Sequence, residues 1–220
     1  MLVPCSVICI SYATGSDGDE VGRLVAERLG FLHVDEEIVA RAAARGDVSP
    51  ADVADEERRR SLATRVLRSI SDGGSNAMAL GGGALPLVPD LEPSSREVQA
   101  LIREAIEQTA GNGSVVITAH GASHALEPGA GTLRVLVTAS AATRSRRISE
   151  RAAVDLARAE RSIKAADAGR RDYLKRFYGV TQELPTHYDL VVNTDGMSVE
   201  EAAALLVHVA EARASLPAPA

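Results

Sequence analysis

The chain has 220 residues, 45% of them hydrophobic and 3% aromatic, with no tryptophan and a formal net charge of −6. That is enough to bury the core of a single domain, built from Ala, Val, Leu and Ile. The acidic balance and the scarcity of rings argue against nucleic-acid binding, which uses basic surfaces and aromatic stacking platforms.

The first apolar run, Leu2 to Ser11, reads as a buried strand. Cys5 and Cys9 lie on it four residues apart, roughly 13 Å along an extended chain, too far to pair with each other. Two buried thiols in a reduced, cytoplasmic protein is the simple reading. The run lacks a basic flank and is followed at once by Asp17, Asp19 and Glu20, so it does not read as a signal peptide. No stretch approaches the length of a membrane span.

Gly15, Ser16, Asp17 and Gly18 form a glycine-rich turn, and Val21, Leu24, Val25 and Leu29 follow at helical spacing. A helix entered from such a turn aims its free N–H groups back at it, which is a common way to hold phosphate. The consensus GxxxxGK[ST] requires a cation after its last glycine, where this chain has Asp19 and then Glu20. Gly30 suits the helix C-terminus, Phe31 to Val34 reads as a second strand with Asp35 at its tip, and Glu36 to Arg45 reads as a helix. Ser49-Pro50 opens another helix that runs toward Ile70, with its charged ADEERRR stretch as a solvated face.

Residues 71–93 are rich in Gly and Pro and read as a flexible insertion or a flap over a site. Ser94 and Glu97 make a capping box for a helix to about Ala110. Ser114 to Ala119 is an apolar strand ending at His120-Gly121, and Leu133 to Thr138 is another. A basic helical segment follows: residues 144–176 carry eleven Lys or Arg against five acids, a local +6 that leaves −12 for the remainder. Leu190 to Asn193 is the last strand, Ser198 and Glu201 cap the last helix, and residues 215–220 form a frayed tail.

Short apolar strands alternating with helices indicate an α/β fold, a parallel sheet with helices on both faces, spanning residues 1–220 as one domain. Ligands in such folds bind beyond the C-terminal strand ends. Here those ends carry the glycine turn, Asp35, His120 and the start of the basic segment.

These residues resemble the cytidylate kinase-like proteins, a branch of the P-loop nucleoside monophosphate kinases. The match runs through the GSDG turn at Gly15 to Gly18, Gly30, Asp35, Glu37-Ile38 and Ala119-His120-Gly121-Ala122. It continues through Leu133-Arg134-Val135, Arg144, Arg147 and Arg151, a lid-like segment over 152–180 with Asp167, Arg170, Tyr173, Phe177 and Gly179, and Tyr188 to Thr194.

The resemblance implies phosphoryl transfer from ATP, with Mg²⁺, to a nucleoside monophosphate such as CMP or dCMP, or to a similar small acceptor. Such transfer is nearly all positioning and charge neutralisation. Carried over residue by residue, Gly15, Ser16, Asp17, Gly18, Asp19 and Glu20 would face the donor phosphates. Arg147, Arg151, Arg170 and Arg171 would clamp the transferring group, with Asp167 beside them as a catalytic position. Asp35 and His120 would lie toward the acceptor; Asp35 could also hold Mg²⁺ through water, or simply cap a helix. A homodimer is compatible with the resemblance.

Three departures stand out. Asp19 replaces the loop cation, Asp17 replaces a glycine, and His120 replaces an arginine. A carboxylate about 4 Å from a phosphate costs on the order of 4 kcal/mol at an effective dielectric near 20.

The readings without a ligand are a plain strand-to-helix turn at Gly15 to Gly18 and solvated arginines laced by i,i+4 pairs. His120 and His124 lack any Cys or HExxH context for a metal, and His33 reads as a strand-surface residue. Two further functions stay open: a catalytically inactive kinase-like scaffold that binds nucleotide or protein, and a dinucleotide-binding protein. The second rests on Gly15, Gly18, Gly22 and, twenty residues after Gly15, Asp35.

Overall fold

The computed structural model describes residues 5–35, 37–46, 95–118, 121–129 and 131–214. The helix expected from Ser49, the 71–93 insertion, His120 and the 215–220 tail lie outside the described residues.

Five parallel strands, β1 (Val7–Tyr12), β2 (Leu32–Val34), β3 (Val115–Ile117), β4 (Thr132–Thr138) and β5 (Leu190–Asn193), form one sheet in the order β2-β3-β1-β4-β5. β1 is central and pairs with β3 through Val7 to Cys9 and with β4 through Val7 to Tyr12. Dinucleotide-binding sheets run in the order 3-2-1-4-5-6, with β2 rather than β3 beside β1.

The helices are α1 (Gly18–Leu29), α2 (Glu37–Gly46), α3 (Ser95–Gly111), α4 (Ala122–Ala125), α5 (Ala141–Ala152), α6 (Leu156–Tyr178) and α7 (Val199–Ala214). They cover both faces, so a strand such as β1 is apolar at consecutive positions rather than alternating. Ile8 and Ile10 of β1 and Leu133, Val135 and Val137 of β4 pack with Val21 and Val25 of α1 and Leu206 of α7. Val7 and Cys9 turn the other way, onto Ile38 of α2, Ile102 and Ile106 of α3 and Phe177 of α6. Cys5 and Cys9 are both free and buried, and burial pushes the Cys9 thiol up to about 12.

Local chemistry places most boundaries. Gly30 ends α1 at φ 66, and its N–H closes on Ala26 and Glu27 carbonyls. Ser198 and Glu201 form the reciprocal capping box: the Ser198 N–H donates to Glu201 at 2.9 Å and the Glu201 N–H to Ser198 Oγ at 3.2 Å. At α2 the Glu37 carboxylate accepts the Asp35 N–H at 2.9 Å, and the Asp35 carbonyl accepts from Ile38, which puts Asp35 at the helix entrance.

Two features depart from the expected layout. The basic segment is two helices, α5 and α6, broken where Ala153 adopts φ 50 and Asp155 caps the second. No Gly or Pro announces that break. The short α4 was not anticipated either, since four residues carry no periodicity; it starts at Gly121, φ 64, where a Cβ would press into the Tyr178 ring.

Candidate functional site

The C-terminal end of β1 is the switch point of the sheet, because β3 leaves on one side and β4 on the other. The chain turns there through residues 13–17 into α1. The Ser16 N–H bonds the Ala13 carbonyl at 2.9 Å and Ser16 Oγ donates to the Val137 carbonyl at 3.1 Å, so the turn is anchored to β4. Gly15, at φ 85, lies against Arg144; a Cβ there would come within 3.1 Å of Arg144 Cβ. Gly18 meets the Tyr12 side chain so closely that a Cβ would overlap it. Glycine at these two positions lets the turn fold tightly.

Asp17 is the N-cap residue of α1, but it does not act as a cap. Its backbone is left-handed, φ 64 and ψ 22, and its side chain accepts no bond from the first turn. An ordinary capping aspartate has extended backbone and accepts an N2 or N3 N–H. The Asp17 carboxylate instead faces α5: Oδ2 is 3.2 Å from Arg147 and Oδ1 is 2.6 Å from Arg151. Its side chain is 7% exposed. Oδ1 is buried against Arg151, and among the described residues no N–H is aligned on it. Asp17 is the chief cause holding the Arg151 guanidinium above its ordinary range, with burial opposing and the Glu20 and Asp19 charges adding. Asp19 and Glu20 themselves are exposed on the first turn of α1.

Arg147 is fixed from two other sides. It donates to Thr194 Oγ1 at 3.0 Å, to the Thr194 carbonyl at 2.7 Å and to the Gly15 carbonyl at 3.4 Å. Thr194 Oγ1 in turn donates to the Ser16 carbonyl at 3.0 Å. The end of β5, the turn and α5 are therefore one hydrogen-bonded unit.

Beside the turn, Ala13, Leu136, Thr138, Asp167, Arg170, Arg171 and Glu183 line a cleft of about 160 Å³. Small-molecule sites are commonly ~300–1,000 Å³, so this cleft alone is too small to enclose a drug-sized ligand. Asp167 makes a bidentate pair with Arg144, both contacts 2.9 Å, and Arg144 also donates to the Ala139 carbonyl at 3.1 Å and the Thr14 carbonyl at 3.4 Å. Arg170 makes a second bidentate pair with Glu183, at 2.9 and 2.6 Å. Burial alone would raise Glu183, but the Arg170 hydrogen bonds and charge outweigh it and hold the carboxyl below its usual range. The Tyr188 hydroxyl donates to the same carboxylate, and His124 Nε2 lies 3.1 Å from that hydroxyl. Burial lowers His124 to about 4, so its ring is neutral at ordinary pH. Arg171 is exposed at the cleft rim.

The structure thus brings residues 15–20, Arg147 and Arg151 together, and groups Asp167, Arg170 and Arg171 at the neighbouring cleft. Asp35 ends β2, two strands from β1 on the far side of β3. His33 is half-buried, with Nε2 3.0 Å from Thr118 Oγ1. Glu183, Thr194, Tyr188 and His124 were not assigned roles from sequence. Thr194 had a usable signal, a polar residue just past a parallel strand's C-terminal end; Glu183 had none. Among the described residues, no group of three or more His, Cys, Asp or Glu could hold a metal ion, and no helix is long and apolar enough to cross a membrane.

The model of the cytidylate kinase-like family matches residues 7–196. The chain belongs to the cytidylate kinase-like family. No curated protein matches this family member in sequence. Among solved structures, it is similar to an uncharacterized protein from Eubacterium ventriosum at 15% identity and a TM-score of 0.62, covering 93% of this chain and 98% of that one. TT1252 from Thermus thermophilus aligns at 16% identity and a TM-score of 0.50, over 94% and 98% of the two chains. A shikimate kinase from Bacteroides thetaiotaomicron aligns at 14% identity and 0.48, over 93% and 97%. The five-stranded parallel sheet with helices on both faces is the architecture that the family resemblance implies.

The backbone of this cytidylate kinase-like loop, a tight turn opening into a helix N-terminus, is of the kind that holds phosphate. Its side chains oppose a triphosphate by charge: Asp19 stands where the loop cation would be, and the Asp17 carboxylate pairs with the two arginines nearest the turn.

Proposed function

We propose that this cytidylate kinase-like protein is a nucleotide-binding phosphotransferase acting on a small acceptor, with a nucleoside monophosphate such as CMP or dCMP as the first candidate and ATP with Mg²⁺ as the donor. The setting we propose is cytoplasmic. The observation that carries this reading is the placement of Arg147 and Arg151 of α5 at the glycine turn where α1 begins, Arg147 donating to the Gly15 carbonyl at 3.4 Å. Two guanidinium groups over a turn that opens into a helix N-terminus make a cradle for a phosphate. The adjoining cleft, with Arg171 at its rim, would take part of the acceptor. ATP would supply the transferable phosphoryl group; the chain's own part is to orient and neutralise charge.

A second reading, a kinase-fold protein that binds without turnover, is favoured by the Asp17 carboxylate on those same arginines. Titration calorimetry with ATP, CMP and dCMP, each with and without Mg²⁺, together with an ADP-release assay, decides between them. Acceptor-dependent ADP release supports the kinase. Nucleotide binding without ADP release supports the second reading, and no binding of any nucleotide at millimolar concentration removes the enzyme.

A further inference from the structure

We propose that the Asp17 carboxylate is a built-in occupant of the phosphate cradle, an internal anion that keeps Arg147 and Arg151 from an incoming phosphate. The inference rests on reading this turn as a phosphate cradle, and it explains how the cradle behaves in this particular chain.

Four features at residue 17 point the same way. Its backbone is left-handed, φ 64, a conformation that costs an aspartate energy and a glycine nothing, so an acidic side chain is held there against a backbone preference. Although it stands at the N-cap, its carboxylate accepts no first-turn N–H, which leaves the anion-binding end of α1 uncapped. The carboxylate is buried and bridges Arg147 and Arg151. Oδ1 is buried against Arg151 at 2.6 Å with no N–H aligned on it among the described residues, so the anion is held chiefly by its pairing with the guanidinium.

Carboxylate and phosphate oxygens compete for the same guanidinium donors. An incoming phosphate has to displace Asp17 from both arginines and then lie beside its displaced charge. Arg151 is 56% exposed and can swing, whereas Arg147 is held by Thr194 and the Gly15 carbonyl. Phosphate entry therefore depends on Asp17 moving away from Arg147, not the reverse. Asp19 and Glu20, exposed on the first turn, add to the repulsion but do not touch the arginine pair.

The test compares the full chain with Asp17→Gly and Asp17→Asn, using inorganic pyrophosphate as the probe in titration calorimetry. Asp17→Gly empties the cradle and suits φ 64; Asp17→Asn keeps the volume and removes the charge, so it also serves if the glycine variant does not fold. The expected result is pyrophosphate binding at least about tenfold tighter in a folded variant than in the wild type, the scale of one recovered charge-assisted hydrogen bond. If the wild type already binds pyrophosphate as tightly as both variants, the occupant is overturned while the cradle stands. If no form binds it, the cradle reading falls and this inference falls with it. ADP release is measured separately, so failure of the kinase reading shows there and not in the pyrophosphate titration.

Discussion

Asp167 carries a catalytic role in the resemblance, and the structure ties it to Arg144, which makes a stability prediction that needs no substrate. Arg144 is 9% exposed and Asp167 32%, and the two guanidinium nitrogens meet the two carboxylate oxygens at 2.9 Å each. Asp167→Asn replaces one accepting oxygen by an NH₂ that faces the Arg144 donors, leaving a buried cation with half of its counterion's contacts. Breaking a fully buried pair costs ~3–5 kcal/mol. Solvent reaches about a third of Asp167, so the expected loss is about 2–3 kcal/mol. For a chain of this length that lowers the melting temperature by roughly 4–12 °C. Urea unfolding followed by far-ultraviolet circular dichroism measures it, with exposed Arg171→Ala as the comparison, expected within about 0.5 kcal/mol of wild type. Asp167→Asn unfolding at the same urea concentration as wild type would refute the reasoning. It would mean that Arg144 is held by the Ala139 and Thr14 carbonyls alone.

Two further outcomes follow from the same coordinates. The unfolded chain protonates His124 near 6.5 and the folded chain only at about 4, so stability is complete above the first value and lost as pH falls toward the second. Between about pH 7 and about pH 5 this loss is about 1–2 kcal/mol after allowance for solvent exposure, and urea midpoints at the two pH values should converge in His124→Gln; an unchanged pH slope in that variant would count against the assignment. At Gly22, a Cβ would overlap Thr118 Cγ2, so Gly22→Ala should cost about 1–3 kcal/mol in a thermal melt. Adding Thr118→Ser removes that methyl and should restore most of the loss; no recovery would place the strain elsewhere.

The Gly22 prediction shows how far the residues could be interpreted without the fold. The glycines at 15, 18 and 22 were legible as a pattern shared by phosphate loops and dinucleotide-binding turns. Only the packing of Gly22 against Thr118, at the end of β3, shows what that spacing is for: α1 lies close on a sheet in which β3, not β2, neighbours β1. The parallel α/β architecture, the last strand at Leu190–Asn193 and the cap at Ser198 were readable because each depends on short apolar runs or on groups three residues apart. The break at Ala153 and the four-residue α4 were not readable, because no local residue preference marks them.

The sequence by itself determined that a glycine turn leads into a helix, that three carboxylates stand in or beside that turn, and that arginines cluster after the fourth strand. Tertiary structure alone decided which charge meets which. Arg147 and Arg151 turn onto Asp17, Arg144 onto Asp167 and Arg170 onto Glu183. The Arg144 pairing joins α5 to α6 and the Arg170 pairing joins α6 to the loop after it, both within about 25 residues, while the Asp17 pairing spans about 130 residues. Arginine side chains are long and can reach many acids, so spacing along the chain does not choose among them. The order β2-β3-β1-β4-β5 does, because it sets the end of β1 beside the start of α5 and brings one buried carboxylate under two guanidinium groups.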